Sequence, residues 1–288
     1  MKFSHLVFVL LLSAAVAFVT AKYAAPAMQG KNAESESAFH RVIRTDTLRC
    51  GYQYWDGGVM RNEKTGKIYG PWVNVTDALA KAIGLKVEWT EQVGWGDVAA
   101  ALKSHKVDAI CAGIWTSGVK AREIAYTVPL AYQGIEAIVR ADDHRFDGDV
   151  EKLNSPNVRL AVIDADNSDF IARQDFPKAK LDSLGQLTGT DSQQMMDVAT
   201  GKADATFDIA GLFIQFNKNN ANKLRLLMPG HMLRTFGLAF AVDNDEPKLL
   251  RLMNTGAEEI EYSGQLDKIL DQGNKNWPEM YIKPTKPF

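Results

Sequence analysis

The chain has 288 residues, of which 46% are hydrophobic and 24% charged, and its 33 basic and 35 acidic residues give a net charge of −2 at pH 7. At roughly 150 residues per domain, this length accommodates about two compact units, and the composition excludes disorder along most of the chain. The near-neutral charge excludes a global field that would attract nucleic acid. The two cysteines lie in no CxxC or Cys/His pattern, so we expect no metal site and no cofactor.

The N-terminus has the pattern of an export signal. A short, weakly basic start precedes an apolar run over residues 6–19, in which Ser13 is the only polar residue. A run of this length is typical of the core of a signal peptide. We expect residues 1–21 to be a signal peptide or, alternatively, an uncleaved membrane anchor, and residues 22–38 to be a linker. Both alternatives place the protein in the periplasm.

From Phe39 onward, short apolar runs alternate with amphipathic segments, which is typical of an α/β fold with mainly parallel strands. A first series predicts strand, helix, strand, helix and strand at residues 48–52, 75–83, 86–91, 97–102 and 107–112. A second series has the same order at residues 159–163, 168–174, 180–183, 191–200 and 203–209, followed by a strand at 224–228. Two similar lobes are the simplest interpretation.

A short motif occurs once in each series. Lys-Val-Asp-Ala at 106–109 is matched by Lys-Ala-Asp-Ala at 202–205, and each copy follows an amphipathic helix and a polar turn. We interpret the pair as a structural pseudo-repeat, although chance also produces matches this short.

Two further strands, at 135–140 and 236–242, are predicted to cross between the lobes as a two-strand hinge. This assigns residues 39–139 and 237–288 to lobe 1 and residues 140–236 to lobe 2. A helix at 246–262 and another that starts at Gly264 and ends before Gly273 are predicted to pack back on lobe 1.

Several ordered motifs resemble those of one family. They include Trp-Gly-Asp-Val at 95–98, Lys-Val-Asp-Ala-Ile-Cys-Ala-Gly at 106–113, Thr-Val-Pro at 127–129 and Glu-Tyr-Ser-Gly-Gln-Leu-Asp-Lys-Ile-Leu at 261–270. Together with residues 42–52, Gly70 and residues 75–83, they are similar to the type II periplasmic solute-binding proteins of amino-acid ABC transporters. Each motif is weak alone, but their order and spacing over residues 39–277 are specific.

The resemblance implies a two-lobed fold in which each lobe has a mostly parallel sheet flanked by helices. It implies an exported, monomeric protein that closes on an amino acid or related amine-bearing solute and delivers it to an ABC permease in the inner membrane. Two alternatives stay open. Some relatives are dehydratases that act on cyclic acids, as cyclohexadienyl dehydratase does, and others sense ligands or act as accessory proteins. The sequence contains no recognisable catalytic motif, and we predict no catalytic residue.

In lobe 1, the resemblance implies that loops at the carboxyl ends of the strands face the ligand. Ser117 is predicted to cap a short helix whose free N–H groups bind a carboxylate. Lys120 stands where the family places an arginine, but lysine lacks the bidentate grip; it either faces the cleft or lies on a solvated surface, with Arg122 as the alternative cation. The lobe 1 candidates are Tyr54, Trp55, Trp95, Gly113, Trp115, Ser117 and Lys120, with Trp72 as a further aromatic residue. The aromatic side chains either stack on the ligand or pack within the lobe.

In lobe 2, the candidates are Asp166, Asn167 and Ser168 in one turn and Asp208 at a strand end. Asp166 either caps the next helix or binds a cation. Asp208 either contacts the ligand or caps a helix, since amino-acid binders usually have their acidic group one residue later. The added carboxylates and the missing arginine together predict a positively charged ligand.

Cys50 and Cys111 lie on strands that are predicted neighbours. An oxidising compartment would permit a disulfide, but side-by-side positions in a sheet often have poor geometry for one. We therefore expect two buried, unbonded cysteines.

Overall fold

The computed structural model describes residues 36–164, 166–185 and 189–285. The predicted signal segment and residues 22–35 of the predicted linker lie outside this part of the chain. The last linker residue, Ala38, is buried and begins a helix, α1 (Ala38–Thr45). Within the described residues, no helix has the length and apolar character that crossing a membrane requires.

Helix α1 was not predicted, and its capping explains why. The hydroxyl of Ser37 accepts a hydrogen bond from the His40 N–H at 3.3 Å. The carboxylate of Glu246, which is 208 residues away from Ala38, accepts hydrogen bonds from the N–H groups of Ala38 and Phe39. Part of the capping of this helix therefore comes from a residue that is distant in the sequence, and a local sequence pattern cannot reveal such a contact.

Lobe 1 contains the predicted alternation of strands and helices. Its elements are β1 (Thr47–Tyr52), a hairpin of β2 (Met60–Arg61) and β3 (Ile68–Tyr69), α2 (Pro71–Ala82), β4 (Lys86–Gln92), α3 (Val98–Lys103), β5 (Ala109–Trp115) and β6 (Ile124–Tyr126). The parallel order is β4-β1-β5. In β5 all residues but the last are buried, as a continuous apolar run in a covered parallel sheet requires, whereas β4 alternates in exposure as an edge strand does.

Lobe 2 repeats this arrangement with the parallel order β10-β8-β9. Its elements follow β7 (Ala131–Arg140), and they are β8 (Arg159–Ile163), α4 (Asn167–Asp175), β9 (Lys180–Leu184), α5 (Asp191–Ala199), β10 (Ala205–Ile209), α6 (Ala210–Asn219) and β11 (Leu224–Leu226). The strand at 159–163 agrees residue for residue with its prediction.

Two long strands connect the lobes. Strand β12 (Arg234–Asp243) pairs antiparallel with β5 and β6 in lobe 1, and β7 pairs antiparallel with β10 and β11 in lobe 2. The two strands also pair with each other, from Arg234 opposite Ile135 to Leu238 opposite Ala131. The predicted α/β fold with two lobes and a two-strand hinge is confirmed.

The C-terminal helices α7 (Pro247–Tyr262) and α8 (Gln265–Asn276) both pack on α2 of lobe 1. The predicted end of α8 before Gly273 is wrong. A Cβ atom at Gly273 would lie 3.0 to 3.2 Å from Tyr281 and Pro71, so this glycine allows close packing inside the helix instead of ending it. After α8, the Tyr281 hydroxyl donates a hydrogen bond to the Gly57 carbonyl at 2.6 Å, and Ile282 pairs with Tyr132 of β7.

The two copies of the short motif have the same role. The Asp108 carboxylate accepts a hydrogen bond from the Arg49 N–H at 2.7 Å, and Asp204 accepts one from the Arg159 N–H at 2.8 Å. Each aspartate joins the strand that it begins to the neighbouring strand, β1 or β8. The second partner of each carboxylate is a further arginine, Arg41 or Arg145. The pseudo-repeat is therefore real in three dimensions.

Cys50 and Cys111 form a disulfide, so the prediction of unbonded cysteines is wrong. In the pairing of β1 with β5, Cys50 is aligned with Ala109, and Cys111 lies two residues further along. The two cysteines are therefore diagonal rather than side by side, and their Cα atoms are 5.4 Å apart. This separation is in the usual range for a disulfide, which the sequence could not reveal without the register.

Candidate functional site

The carboxyl ends of the parallel strands carry the predicted site residues. Loops follow β1 and β5 in lobe 1 and β8 in lobe 2, and helix α6 follows β10 directly. Since ligands of α/β sheets bind at this edge, it is the candidate site. Its two sides differ in chemistry, because lobe 1 contributes mainly aromatic rings, one ammonium group and the carboxylate of Asp56, whereas lobe 2 contributes mainly carboxylates.

Two of the predicted tryptophans have their indole N–H groups bound within the protein. Trp55 donates to the Ala112 carbonyl at 2.6 Å, and Trp115 donates to Oε1 of Gln133 at 2.6 Å. Trp115 also stacks on Phe236 of β12, with ring centroids 5.2 Å apart. Both indoles are partly buried and fixed in orientation, and Trp115 joins the end of β5 to the hinge.

The other aromatic candidates divide between the surface and the core. Tyr54 and Trp95 are partly buried, and Tyr54 packs edge-on against Tyr52 at 5.3 Å. Trp72 is fully buried under Gly113, so it belongs to the core and does not face the cleft. A Cβ atom at Gly113 would lie 2.6 Å from the Trp72 indole, and its φ of +72° favours glycine.

The predicted helix after β5 is only a single 3₁₀ turn, Lys120–Arg122, and its N-cap is Val119. The prediction that Ser117 caps it is therefore wrong; the Ser117 carbonyl accepts a hydrogen bond from the Ala121 N–H at 2.9 Å. Lys120 is exposed, and its ammonium group donates to the Trp95 carbonyl at 3.4 Å. The same ammonium group acts electrostatically on Asp166 of lobe 2, so it faces the other lobe.

In lobe 2, Asp166 occupies the N-cap position of α4 but makes no capping hydrogen bond of good geometry. Burial raises the pKa of the Asp166 carboxyl, and the N–H groups of Asn167 and Ser168 and the Lys120 charge oppose this increase. The Ser168 side chain is buried, and its Oγ accepts a hydrogen bond from the Ile163 N–H at 3.1 Å. Ser168 thus supports the turn from within the lobe, while Asp166 and Asn167 are partly exposed at its edge.

Asp208 is the most deeply buried of the predicted site residues that carry a charge, with 5% of its surface exposed. The alternative that it caps the next helix is wrong, because the N-cap of α6 is Ile209. Its Oδ1 accepts a hydrogen bond from the Ile209 N–H at 2.7 Å, while its Oδ2 is buried without a partner among the described residues. Burial raises the pKa of Asp208 well above its ordinary value, and the charges of Asp191 and Asp166 raise it further.

Sequence reasoning missed two members of this group. Asp191, the first residue of α5, has a pKa raised to about 7 by burial and then by the charges of Asp166 and Asp56. Asp56 is exposed in the loop that follows β1, next to Trp55. We call Asp56, Asp166, Asp191 and Asp208 the acidic cluster. No motif links these four residues along the chain, and only the fold brings them together.

A third missed carboxylate lies on the hinge. Glu136 of β7 is directly opposite Asp208 in the antiparallel pairing, so the two side chains project from the same face of the sheet. Glu136 is buried, and burial raises its pKa, although its Oε2 accepts a hydrogen bond from the Gly230 N–H at 2.8 Å. Residues of both lobes and of the hinge therefore give this site an excess of negative charge.

The carboxylates are not arranged as metal ligands. In residues 36–164, 166–185 and 189–285, no three His, Cys, Asp or Glu side chains are grouped closely enough to hold a metal ion. Burial and, after it, repulsion between the carboxylates raise the pKa values of Asp191 and Asp208, and a bound organic cation would relieve the repulsion.

Related proteins are solute-binding proteins. The chain is 24% identical over 210 residues to a probable amino-acid-binding protein of Bacillus subtilis, covering 73% of this chain and 77% of the relative. It is 29% identical over 134 residues to a probable amino-acid ABC transporter-binding protein of Haemophilus influenzae, covering 46% and 48% of the two chains.

Solved structures have the same fold. An ancestral amino acid-binding protein, a precursor of cyclohexadienyl dehydratase, superposes with a TM-score of 0.68 at 23% identity over 84% of this chain and 99% of its own. A putative ABC transporter binding component from Wolinella succinogenes, complexed with lysine, gives 0.68 at 21% identity over 81% and 95%.

The family model of the bacterial extracellular solute-binding proteins, family 3, matches residues 51–273. This match covers both lobes and the hinge, from the end of β1 to α8. The chain is therefore a solute-binding protein and belongs to family 3 of the bacterial extracellular solute-binding proteins.

Proposed function

We propose that the protein captures a small solute bearing an ammonium or guanidinium group, such as an amino acid or a related amine, between its two lobes. The observation that carries this proposal is Asp208, a buried carboxylate with an unpartnered oxygen that interacts with two further carboxylates. A buried charge without a partner is costly, and a bound cation would remove that cost.

The positions of these groups in both lobes explain how a bound ligand would close the lobes. Asp166, Asp191 and Asp208 belong to lobe 2, whereas Asp56, Lys120 and the aromatic residues belong to lobe 1. In this structure the Asp56 charge already acts on Asp191, so a cation held by lobe 2 is attracted to Asp56 when the lobes are close together and not when they separate. The ligand thereby binds the closed state more tightly than the open state, and this difference in affinity drives the hinge.

The site residues have separate roles in this proposal. Asp166, Asp191 and Asp208 bind the cation, with Asn167 beside them, and Ser168 holds their turn in place. Trp95, Trp115 and Tyr54 form the aromatic wall, with Trp55 fixed behind it and Gly113 and Ser117 shaping the loop that carries Lys120.

The relatives are named as binding proteins, which supports a binding protein rather than an enzyme, and one fold neighbour is complexed with lysine. We further propose that the protein is exported, acts in the periplasm as a monomer and hands its ligand to an ABC permease. Lobe 1 is proposed to comprise residues 39–139 and 237–288, and lobe 2 residues 140–236.

The test is thermal unfolding of the protein, expressed from its full sequence in an exporting host, with cationic, zwitterionic and anionic solutes. A cationic ligand at a hundred times its Kd should stabilise the folded state by about 2.7 kcal/mol, and glutamate should not. Asp208→Asn should remove the shift, whereas Asp142→Asn, which changes a carboxylate that is 90% exposed, should retain it.

The proposal fails if anionic solutes stabilise the protein best, or if Asp208→Asn binds the cation as tightly as the wild type. Product analysis on the same samples distinguishes binding from turnover, because consumption of the solute would establish an enzyme. The mass of the purified protein reports whether residues 1–21 are removed. Fractionation of the host cells reports whether the protein is exported or stays at the membrane.

A further inference from the structure

Side chains of the protein already occupy the helix N-termini at which a ligand carboxylate would bind. At the start of α4, the N–H groups of Asn167 and Ser168 act on the Asp166 carboxylate. At the start of α5, Asp191 is the first helical residue, and the Thr190 hydroxyl accepts a hydrogen bond from the Gln193 N–H at 3.1 Å. At the start of α6, the Ile209 N–H donates to Asp208. Helix N-termini are where proteins usually bind anions, and here a carboxyl or hydroxyl group of the protein lies at each of these three.

The positive groups near the site also offer little attraction to a ligand carboxylate. Among the charges that act on Asp166, Asp191 and Asp208 within the described residues, Lys120 is the one positive group. Its ammonium group also donates to the Trp95 carbonyl. A lysine lacks the planar fork with which a guanidinium group grips a carboxylate through two hydrogen bonds.

The carboxyl groups that could accept hydrogen bonds from a ligand cation, in contrast, lie at more than one position. Asp208 is buried, and its Oδ2 has no hydrogen-bond partner in the part of the chain that the structure describes, while Asp56 is exposed on the opposite lobe. Asp191 interacts with Asp166 and Asp56, and Asp208 interacts with Asp191 and Asp166, so the cluster continues from the buried end to the surface. Four carboxyl groups thus accompany one ammonium group, and a bound dication would favour the charged forms of Asp191 and Asp208, whose pKa values are raised in its absence.

We infer that the preferred ligand is an organic dication without a carboxylate group, such as an aliphatic diamine or a guanidino amine. One cationic end binds at Asp208 and Asp191, and the other binds between Asp166 and Asp56 when the lobes close. This inference rests on the proposed function and narrows its ligand class.

Pairs of solutes that differ only in the α-carboxylate test this inference. Cadaverine is compared with lysine and agmatine with arginine, by calorimetric titration of the exported wild-type protein in 0.15 M salt. Each decarboxylated compound should bind at least about tenfold more tightly than its amino acid, because the carboxylate would face Asp166 and Asp191 without free donors.

A variant of Lys120 gives a second, independent measurement. If this lysine gripped a ligand carboxylate, Lys120→Met would weaken binding by about tenfold or more. For a dication, the same variant removes a repulsive charge, so the affinity for cadaverine or agmatine should stay the same or increase by a few fold. Lys120 is exposed on a single turn, and the variant should fold; Asp142→Asn is the matched surface control.

The outcomes separate the two proposals. The dication inference is overturned if amino acids bind as tightly as the decarboxylated compounds, or if Lys120→Met loses affinity for those compounds. In either case the proposed function, capture of a cationic solute, is retained. If neither pair binds to the folded protein, the proposed function fails with it. Tighter binding of both decarboxylated compounds, retained in Lys120→Met, supports the inference.

Discussion

The two lobes have the same scaffold and opposite chemistry at the edge of their sheets. Read from the outer strand inward, the order β4-β1-β5 of lobe 1 is equivalent to the order β9-β8-β10 of lobe 2. Asp108 and Asp204 make the same hydrogen bond to the neighbouring strand. The carboxyl edge of lobe 1 nevertheless has tryptophans and a lysine, whereas that of lobe 2 has Asp166, Asp191 and Asp208. The residues that join the strands of each lobe and the residues proposed to bind the ligand are thus different sets, at opposite ends of the strands.

The largest expected effect tests how equivalent the two aspartates are. The arginine partners of Asp108 are 16% and 27% exposed, while those of Asp204 are 52% and 49% exposed. Loss of a partner in a buried ion pair costs about 3 to 5 kcal/mol, so Asp108→Ala should lower the free energy of unfolding by this amount. Asp204→Ala should cost about 1 to 3 kcal/mol, because water reaches its arginines.

Urea unfolding of the two variants measures this difference. Asp142→Asn serves as the surface control, since its carboxylate is 90% exposed. Equal losses in both lobes would show that exposure of the arginines does not matter.

The next largest expected effect concerns the disulfide of lobe 1. The bond between Cys50 and Cys111 closes a loop of 61 residues within lobe 1. Cys50→Ala with Cys111→Ala should lower the free energy of unfolding by about 2 to 4 kcal/mol, because the unfolded chain gains freedom. Calorimetry of the variant and of the reduced wild type should give similar midpoints. A reductant that leaves the wild-type midpoint unchanged would contradict this prediction.

The acidic edge of lobe 2 predicts a pH effect of smaller size. The pKa of Asp191 is about 7 in the folded protein and 3.8 in its ordinary state, so between these values the folded state binds more protons than the unfolded state. The stability of the ligand-free protein should therefore fall as pH rises from about 4 to about 7, by on the order of 2 kcal/mol.

Chemical unfolding at pH 5 and pH 7.5 measures this change. Asp191→Asn and Asp208→Asn should each reduce it and stabilise the ligand-free protein at pH 7.5 while weakening ligand binding. A profile that is the same in both variants and the wild type would mean that other groups titrate.

The smallest effect concerns the equivalent helices α3 and α5. Thr190 caps α5 through its side chain, whereas Asp97 at the N-cap of α3 makes no capping hydrogen bond. Thr190→Ala should cost about 1 kcal/mol, and Asp97→Ala less than about 0.5 kcal/mol. Thermal midpoints compare the two variants, and an equal or larger loss in Asp97→Ala would refute the difference.

The sequence pattern predicted the elements of both lobes because each strand and helix buries its own apolar periodicity; residues 159–163 and 191–200 are examples. It failed where the deciding contact is distant. Helix α1 depends on Glu246, the disulfide depends on the register of Cys50 with Ala109, and Gly273 lies inside a helix because Pro71 packs on it.

The candidate site was predicted in part for the same reason. Asp166 follows a strand and Asp208 lies near the end of one, where the general rule for α/β sheets looks for ligands. Asp191 begins a helix and Asp56 lies in a loop of the other lobe, so their interaction exists only in the folded protein. The unpartnered oxygen of Asp208 is likewise a property of the packing and not of the sequence.

The place of β12 in the sheet also determines the order in which the chain is completed during synthesis. This strand, residues 234–243, lies between β5 and β7, and it pairs with strands made more than a hundred residues earlier. The chain leaves the ribosome N-terminus first, so β8, β9 and β10 have all appeared before β12. Lobe 1, whose first strands are made first, is therefore completed last, and a truncated chain that ends before β12 would contain every strand of lobe 2 but would lack β12, α7 and α8 of lobe 1.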